Sequence, residues 1–480
     1  MAKNYFYNLL LTVVNLLFPI ISFPYVSRML GPEGIGKVEV AFSFSQYFAM
    51  VAGFGIPIYG MREIARYRND IEGRSRVFLE LTIIYVITSV SMSVLYLVAI
   101  YLFPGFSVDR DLYLAALLMV LMGCSYIEWL YTGLEEFKAV AIRSVLFKIA
   151  GLILIFLFIR SRADYRFYLY IMMFSFLGNN ILSFFLLNGK IIFNFSGLAL
   201  RKHLKPLLLI FGTTTVAVMA DIDKVLLGFL SNNKEVGLYT AALKISKISV
   251  PIITSMSIVL IPKITKEFAS NEMDKVQDTL SQTFSFLVFL GIPITFGLAL
   301  LAPEFIEIFS GPEFSTATNA MRILSAMPVI LGAAHFFLFL ILVPAGKNRE
   351  MLVAEIGGLL VSLLFNFILI PILQHVGSAI ANICAEATVT LMYFYFVRKH
   401  FAFTYQWRLI INATICALVF IPLIWLVKEM ELALIYRLAI SVTFCGVAYI
   451  AIQLFAFKSD FVFAIMRFIK LRLSKTGNKA

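Results

Sequence analysis

The sequence predicts an all-α integral membrane protein of about fourteen transmembrane helices, on three observations. Hydrophobic residues make up 61% of the 480 and charged residues only 14%, whereas soluble domains run near 45–50% and about 25%. Continuously apolar runs of about 20 residues recur along the whole chain, each long enough to cross a hydrocarbon core of roughly 30 Å. None of these runs alternates polar with apolar residues, which excludes the strands of a membrane β-barrel.

In order, the spans are expected at 5–29, 38–60, 79–103, 112–132, 141–160, 166–187, 206–230, 236–261, 279–302, 319–343, 351–373, 378–397, 407–427 and 434–456. Their orientation follows from Lys and Arg. Connections after even-numbered spans, with both termini, hold 26 of these residues, and the odd connections hold 8. Both termini and the even connections are therefore expected in the cytoplasm. The turn at 160–166, with Arg160, Arg162 and Arg166, runs against that trend. The net charge of +12 has the same explanation and gives no reason to expect nucleic acid. The outer connections are short, and the longest, 302–318, is acidic. The basic, amphipathic stretch 458–480 is expected either to lie on the inner leaflet or simply to anchor the topology. The first apolar run lacks a small-residue cleavage site and reads as an uncleaved first helix.

An internal repeat organises these spans. "IGKVEVAFSFSQYF" (35–48) sets against "VGLYTAALKISKIS" (236–249) without gaps, matching Gly36 to Gly237, Ala41 to Ala242 and Ser45 to Ser246. A looser echo sets "YTGLEEFKAVAIRSVL" against "VPAGKNREMLVAEIGG". Spans 1 and 7 run in the same direction, so the repeat is parallel, with a pseudo-twofold along the membrane normal. The expected organisation is a six-helix bundle at 1–190, a second at 191–400, two additional helices at 401–457 and a basic cytoplasmic tail at 458–480. Two bundles about a central cavity suit alternating access. Prolines inside spans, such as Pro19, Pro24, Pro251 and Pro293, supply bends.

Charges inside the spans point to the site. Spans 7 and 8 carry Asp221, Asp223, Lys224, Lys244 and Lys247 in "ADIDKVLLGFLSNNKEVGLYTAALKISKI". A charge at the centre of a bilayer costs roughly 2.5–3.5 kcal/mol on insertion scales. The aspartates can neutralise Lys224 and Lys244, which leaves Lys247 over and suits an anionic substrate in the cavity. Lys244, Lys247, Lys224 and Arg28 are the candidate cationic lining, although Arg28 could instead snorkel to the interface. Gln46, Asn15 and Asn366 are candidate polar lining, against the alternative that such amides bond between helices. Glu128 is a candidate ion or proton site, or else a partner of Lys148. Asp221 and Asp223 are further coupling candidates.

Catalytic patterns are missing. "GPEGIG" is not a dinucleotide fingerprint and follows a helix, and there is no P-loop, HExxH or nucleophile elbow. The four cysteines lie in apolar runs without a CxxC, so neither a metal site nor a disulfide is expected.

Three stretches resemble a known family. "FPYVSRMLGPEGIGKVEVAFSFSQYFAMVAGFGIPIYGMREIAR" (23–66) resembles the start of polysaccharide-export flippases of the Wzx type. "DIDKVLLGFLSNNKEVGLYTAALKI" (221–245) resembles their seventh and eighth helices, and "VPAGKNREMLVAEIGGLLVSLLFNFILIP" (343–371) their tenth-to-eleventh region. The resemblance covers about residues 1–400. It implies the multidrug/oligosaccharidyl-lipid/polysaccharide exporter fold in a bacterial inner membrane, with no cofactor and coupling to an H+ or Na+ gradient. It also implies an undecaprenyl-pyrophosphate-linked oligosaccharide as substrate, with a polysaccharide polymerase and chain-length proteins as partners. Lys244 and Lys247 would then hold the pyrophosphate, and Arg62, Arg66 and Arg68 would form a cytoplasmic rim that attracts it. The alternatives are a cation-coupled multidrug exporter, a lipid II flippase or, from another class, a membrane polymerase or ligase. The short outer connections argue against the enzymes.

Overall fold

The first helix, α1 (Ala2–Gly53), has 52 residues. At 1.5 Å per residue it would extend about 78 Å, far beyond one crossing of a core of roughly 30 Å. It breaks at Gly31, with φ 68° and ψ 178°. Glycine accepts the positive φ, and the following Pro32 demands an extended ψ before it. Pro32 and Glu33 then open the next helical run, where a missing N–H and a negative charge are both favourable. The computed structural model describes residues 2–187, 189–218, 222–270, 272–401 and 406–457. Asp221 and the tail 458–480 lie outside them.

The chain divides into two compact units, Met1–Thr240 and Ala241–Ala480. In the first, α1 is followed by α2 (Ile56–Arg66), α3 (Ile71–Leu102), α4 (Arg110–Leu121), α5 (Glu128–Gly133), α6 (Phe137–Phe158), α7 (Tyr165–Phe185), α8 (Arg201–Val218), α9 (Asp223–Leu230) and the start of α10 (Asn233–Ile248). α1 packs on α3, α4 and α6, and α2 on α3 and α5. Part of the core gathers Ile56, Phe78, Leu81, Tyr85, Trp129 and Tyr131. The Trp129 ring fits against α2 because position 60 is glycine: a Cβ there would lie 2.5 Å from it.

In the second unit α10 continues into α11 (Val250–Ala269), α12 (Met273–Leu300), α13 (Ala302–Ser310), α14 (Thr318–Leu324), α15 (Met327–Phe337), α16 (Asn348–His400), α17 (Trp407–Leu418), α18 (Phe420–Lys428) and α19 (Leu434–Phe455). The 53-residue α16 also breaks once, at Gln374. The long acidic connection is mostly helical, since α13 occupies much of it. Glu304 of α13 is buried and meets Lys428 at 3.2 Å. The core of this unit gathers Leu280, Phe284, Phe336, Leu340 and Tyr393.

All regular structure among the described residues is helical. Ten segments there are long and apolar enough to cross a membrane, or eleven if the bent pair α10 and α11 is one span.

Candidate functional site

Asp223 and Lys224 of α9 each meet a partner on another helix. Asp223 and Lys224 are adjacent, so on a helix they point about 100° apart. Asp223 is buried and accepts a hydrogen bond from the Tyr239 hydroxyl of α10 at 2.9 Å. Lys224 turns the other way and meets Glu39 of α1 at 2.8 Å. Glu39, 3% exposed, is the carboxylate that the sequence reading overlooked. Its 185-residue separation from Lys224 gave no local signal.

Backbone contacts surround this ion pair. A Cβ at Gly36 would lie 1.6 Å from the Asn233 carbonyl oxygen, and a Cβ at Gly237 would lie 1.8 Å from that of Pro32. The two glycines are partners in the sequence repeat, and Pro32 and Asn233 stand in the same register. The contacts are therefore reciprocal, and neither tolerates a side chain. Gly228 of α9 packs on Val40 at a hypothetical Cβ distance of 2.7 Å, and Phe229 meets Phe44 and Phe106.

Lys244 and Lys247 are half-buried on α10 and three residues apart, hence on one face. Arg28 and Asn15 are exposed, and Arg28 Nη1 donates to the Pro24 carbonyl at 2.6 Å. Asn366 is buried and donates to the carbonyl and hydroxyl oxygens of Ser362, one turn back. Gln46, by contrast, lines an open cavity in the first unit.

Glu128 sits half-buried at the start of α5, with Arg143 and Lys148 as its basic neighbours. Arg143, inside the expected span 141–160, is 3% exposed. Its guanidinium lies over the Tyr131 ring at 4.2 Å. Of the expected rim, Arg66 pairs with Glu63 at 2.7 Å and Arg68 with Glu135 at 2.9 Å. Arg62 is exposed.

A second buried carboxylate also escaped the sequence reading. Glu80 of α3, fully buried, accepts from Lys202, His203 and the Ala199 backbone N–H, each at 2.7 Å. The other ring nitrogen of His203 meets the Tyr59 hydroxyl at 2.9 Å. This network fixes the start of α8 to α2 and α3. Among the described residues no cluster of His, Cys, Asp and Glu could hold a metal ion.

The sequence profile of a family described as "Polysaccharide biosynthesis protein" matches residues 1–268. A protein of Escherichia coli (strain K12), named for O-antigen transport, is 22% identical over 83% of this chain and 97% of its own length. The lipid II flippase MurJ of Bacillus subtilis (strain 168) is 28% identical over 37% of this chain and 32% of its own. Among solved structures, lipid II flippase MurJ in an inward closed conformation superposes with a TM-score of 0.63. It is 14% identical and covers 95% of this chain and 99% of its own. An inward-facing multidrug resistance MATE family transporter of the MOP superfamily also scores 0.63, at 17% identity, over 81% of this chain and 94% of its own. At these identities the structural likeness speaks to the fold alone.

Proposed function

The chain belongs to the polysaccharide biosynthesis protein family, and on that premise we propose that it is a flippase for lipid-linked oligosaccharides. It is a transporter, not an enzyme. The similarity to the E. coli protein named for O-antigen transport, which spans nearly all of that protein, carries this reading. More finely, the substrate is an undecaprenyl-pyrophosphate-linked repeat unit, turned from the inner to the outer leaflet of a bacterial inner membrane. The bundles at 1–190 and 191–400 rock against each other about a pseudo-twofold. The reciprocal contacts of Gly36 and Gly237 support that symmetry, since equivalent positions make equivalent contacts.

In this mechanism Lys244 and Lys247, assisted by Arg28, attract the pyrophosphate. Lysine suits a headgroup that must be released, because it acts as a point charge without a rigid fork. Lys224 does not belong to this set, because Glu39 holds it. Arg62 leads the cytoplasmic rim, with Arg66 and Arg68 restrained by their ion pairs. Glu128 binds the coupling ion, H+ or Na+, with Arg143 and Lys148 as countercharges. Asp223 serves the fold through Tyr239, Asn15 offers an exposed amide to the lining, and the buried Asn366 bonds to Ser362 of its own helix.

The test is complementation of a strain lacking the gene. Wild-type protein should restore surface polysaccharide and clear lipid-linked sugar from the inner leaflet. Glu128→Gln should reach the membrane at normal levels yet export little, and full export by it would remove Glu128 from coupling. Restored drug resistance without restored polysaccharide would replace the flippase reading with multidrug export.

A further inference from the structure

The first unit holds an open cavity of about 350 Å³ lined by residues of α1, α2, α3, α4, α7 and α8. Its walls are apolar, with Met50, Met119 and Phe176 among them, and three polar heads reach it, from Gln46, Tyr85 and Tyr126. Among the described residues, none that lines it is charged. Tyr85 is 5% exposed. Among the described residues no hydrogen bond joins its hydroxyl, that of Tyr126 or the Gln46 amide to another group.

Tyr85 is buried and Tyr126 half-buried, and both line the same space as the exposed Gln46 amide, so a ligand there meets two hydroxyls and an amide beside apolar walls. A hydrocarbon chain would leave all three unsatisfied. A pyrophosphate or a cationic drug would want an opposite charge, and the described lining offers none. A neutral sugar meets both demands: its C–H faces pack on aromatic and thioether surfaces, and its hydroxyls both donate and accept. The volume lies at the lower end of ligand pockets, with room for about two sugar rings.

We propose that this cavity binds sugar rings of the repeat unit, with Tyr85, Tyr126 and Gln46 as its hydrogen-bonding groups. The inference rests on the flippase reading and adds a sugar subsite that is separate from the lysines of α10. It gives the first unit a part in substrate choice. The headgroup, common to many repeat units, is recognised by charge, while the sugar is recognised here by shape and hydroxyl pattern. Gly53 shapes the site, because a Cβ there would lie 3.3 Å from the Tyr85 hydroxyl.

The experiment uses the full chain with its own cysteines replaced by serine and cysteine placed at Gln46. Its probe is the oligosaccharide repeat unit released by mild acid from the cell's lipid-linked pool. This sugar should slow alkylation of Gln46→Cys, whereas undecaprenyl pyrophosphate without sugar should not. Tyr85→Phe and Tyr126→Phe keep the rings and should each weaken protection by roughly fivefold, the worth of one hydrogen bond. Ala49→Phe, which fills the cavity, should abolish protection and export at normal membrane abundance. Protection by the sugarless carrier instead of the free sugar would overturn the proposal, as would normal export from both Ala49→Phe and the double tyrosine variant. If the wild-type chain fails complementation, the flippase reading itself falls. Success there with no sugar protection removes only the subsite.

Discussion

Glu39 and Lys224 form the ion pair on which α9 rests against α1, at 2.8 Å with both side chains largely buried. Breaking a buried pair by removing one partner costs about 3–5 kcal/mol, because the remaining charge stays uncompensated. Glu39→Ala should therefore lower the amount of protein in the membrane, and Glu39→Ala with Lys224→Met should largely restore it. Equal abundance of the single and double variants, on immunoblots of membranes, would mean that the pair contributes little. Lys247 is proposed to hold the headgroup, so Lys247→Ala should make lipid-linked sugar accumulate on the inner leaflet out of proportion to any change in abundance, and Lys247→Arg should retain part of the export. Normal surface polysaccharide from a Lys244→Ala, Lys247→Ala double variant would make both lysines structural. The sequence located these charges but not their partners. A window of residues shows that Lys224 needs a counterion, but the adjacent Asp223 looks sufficient until helix geometry turns it away. Glu39 and Glu80 stayed hidden because their partners lie 185 and 123 residues distant.

Among the elements, the break of α1 and the turn before α10 are the most constrained. The sequence placed a connection between the spans ending at 29 and starting at 38 and aligned Gly36 with Gly237, since glycine and proline mark turns wherever they fall. It could not show that each glycine admits the backbone of the other hairpin, because close approach is a property of two segments and leaves no pattern in either. The contact has a direct consequence. A Cβ at Gly36 would sit 1.6 Å from the Asn233 carbonyl oxygen, so any side chain must force the hairpins apart. If the proposed rocking separates these tips during transport, the present arrangement is one of two states, and Gly36→Val should depopulate it. Cysteines at Lys37 and Lys234, flanking the contact, should cross-link readily in the wild-type background. With Gly36→Val or Gly237→Val the yield should fall and export should fall with it. Unchanged cross-linking would show that the backbone absorbs the added group without separating, and the tips would then be a fixed hinge.

At the scale of the whole molecule, apolar length alone gives ten or eleven crossings, and the proposed count is fourteen. The difference lies in how crossings are joined. Helices α1 and α16, with 52 and 53 residues, each have the length of two crossings and one internal break. Counting each as two gives twelve, and the bent pair α10 and α11 supplies another. The fourteenth is the expected span at 206–230, to which α8 and α9 contribute and in which Asp221, Asp223 and Lys224 dilute the apolar signal. Hydrophobic length was therefore legible in the sequence, but continuity across a kink was not, because a Gly-Pro pair reads as the end of a helix whether or not the axis resumes beyond it. An even count places both termini on one side, and the excess of Lys and Arg in the even connections makes that side the cytoplasm. Reporter fusions after Arg68, Lys202 and Lys399 should then read cytoplasmic, and fusions after Val108, Asn232 and Glu313 should read external. The Asn232 fusion is the decisive one, because it lies between the two halves of the least apolar hairpin. A cytoplasmic reading there, with the others as expected, would take α8 to α11 out of the membrane as a spanning pair, leaving twelve crossings. It would also put the reciprocal glycine contact beyond the reach of a parallel repeat, since α1 and α8 would no longer cross in the same direction.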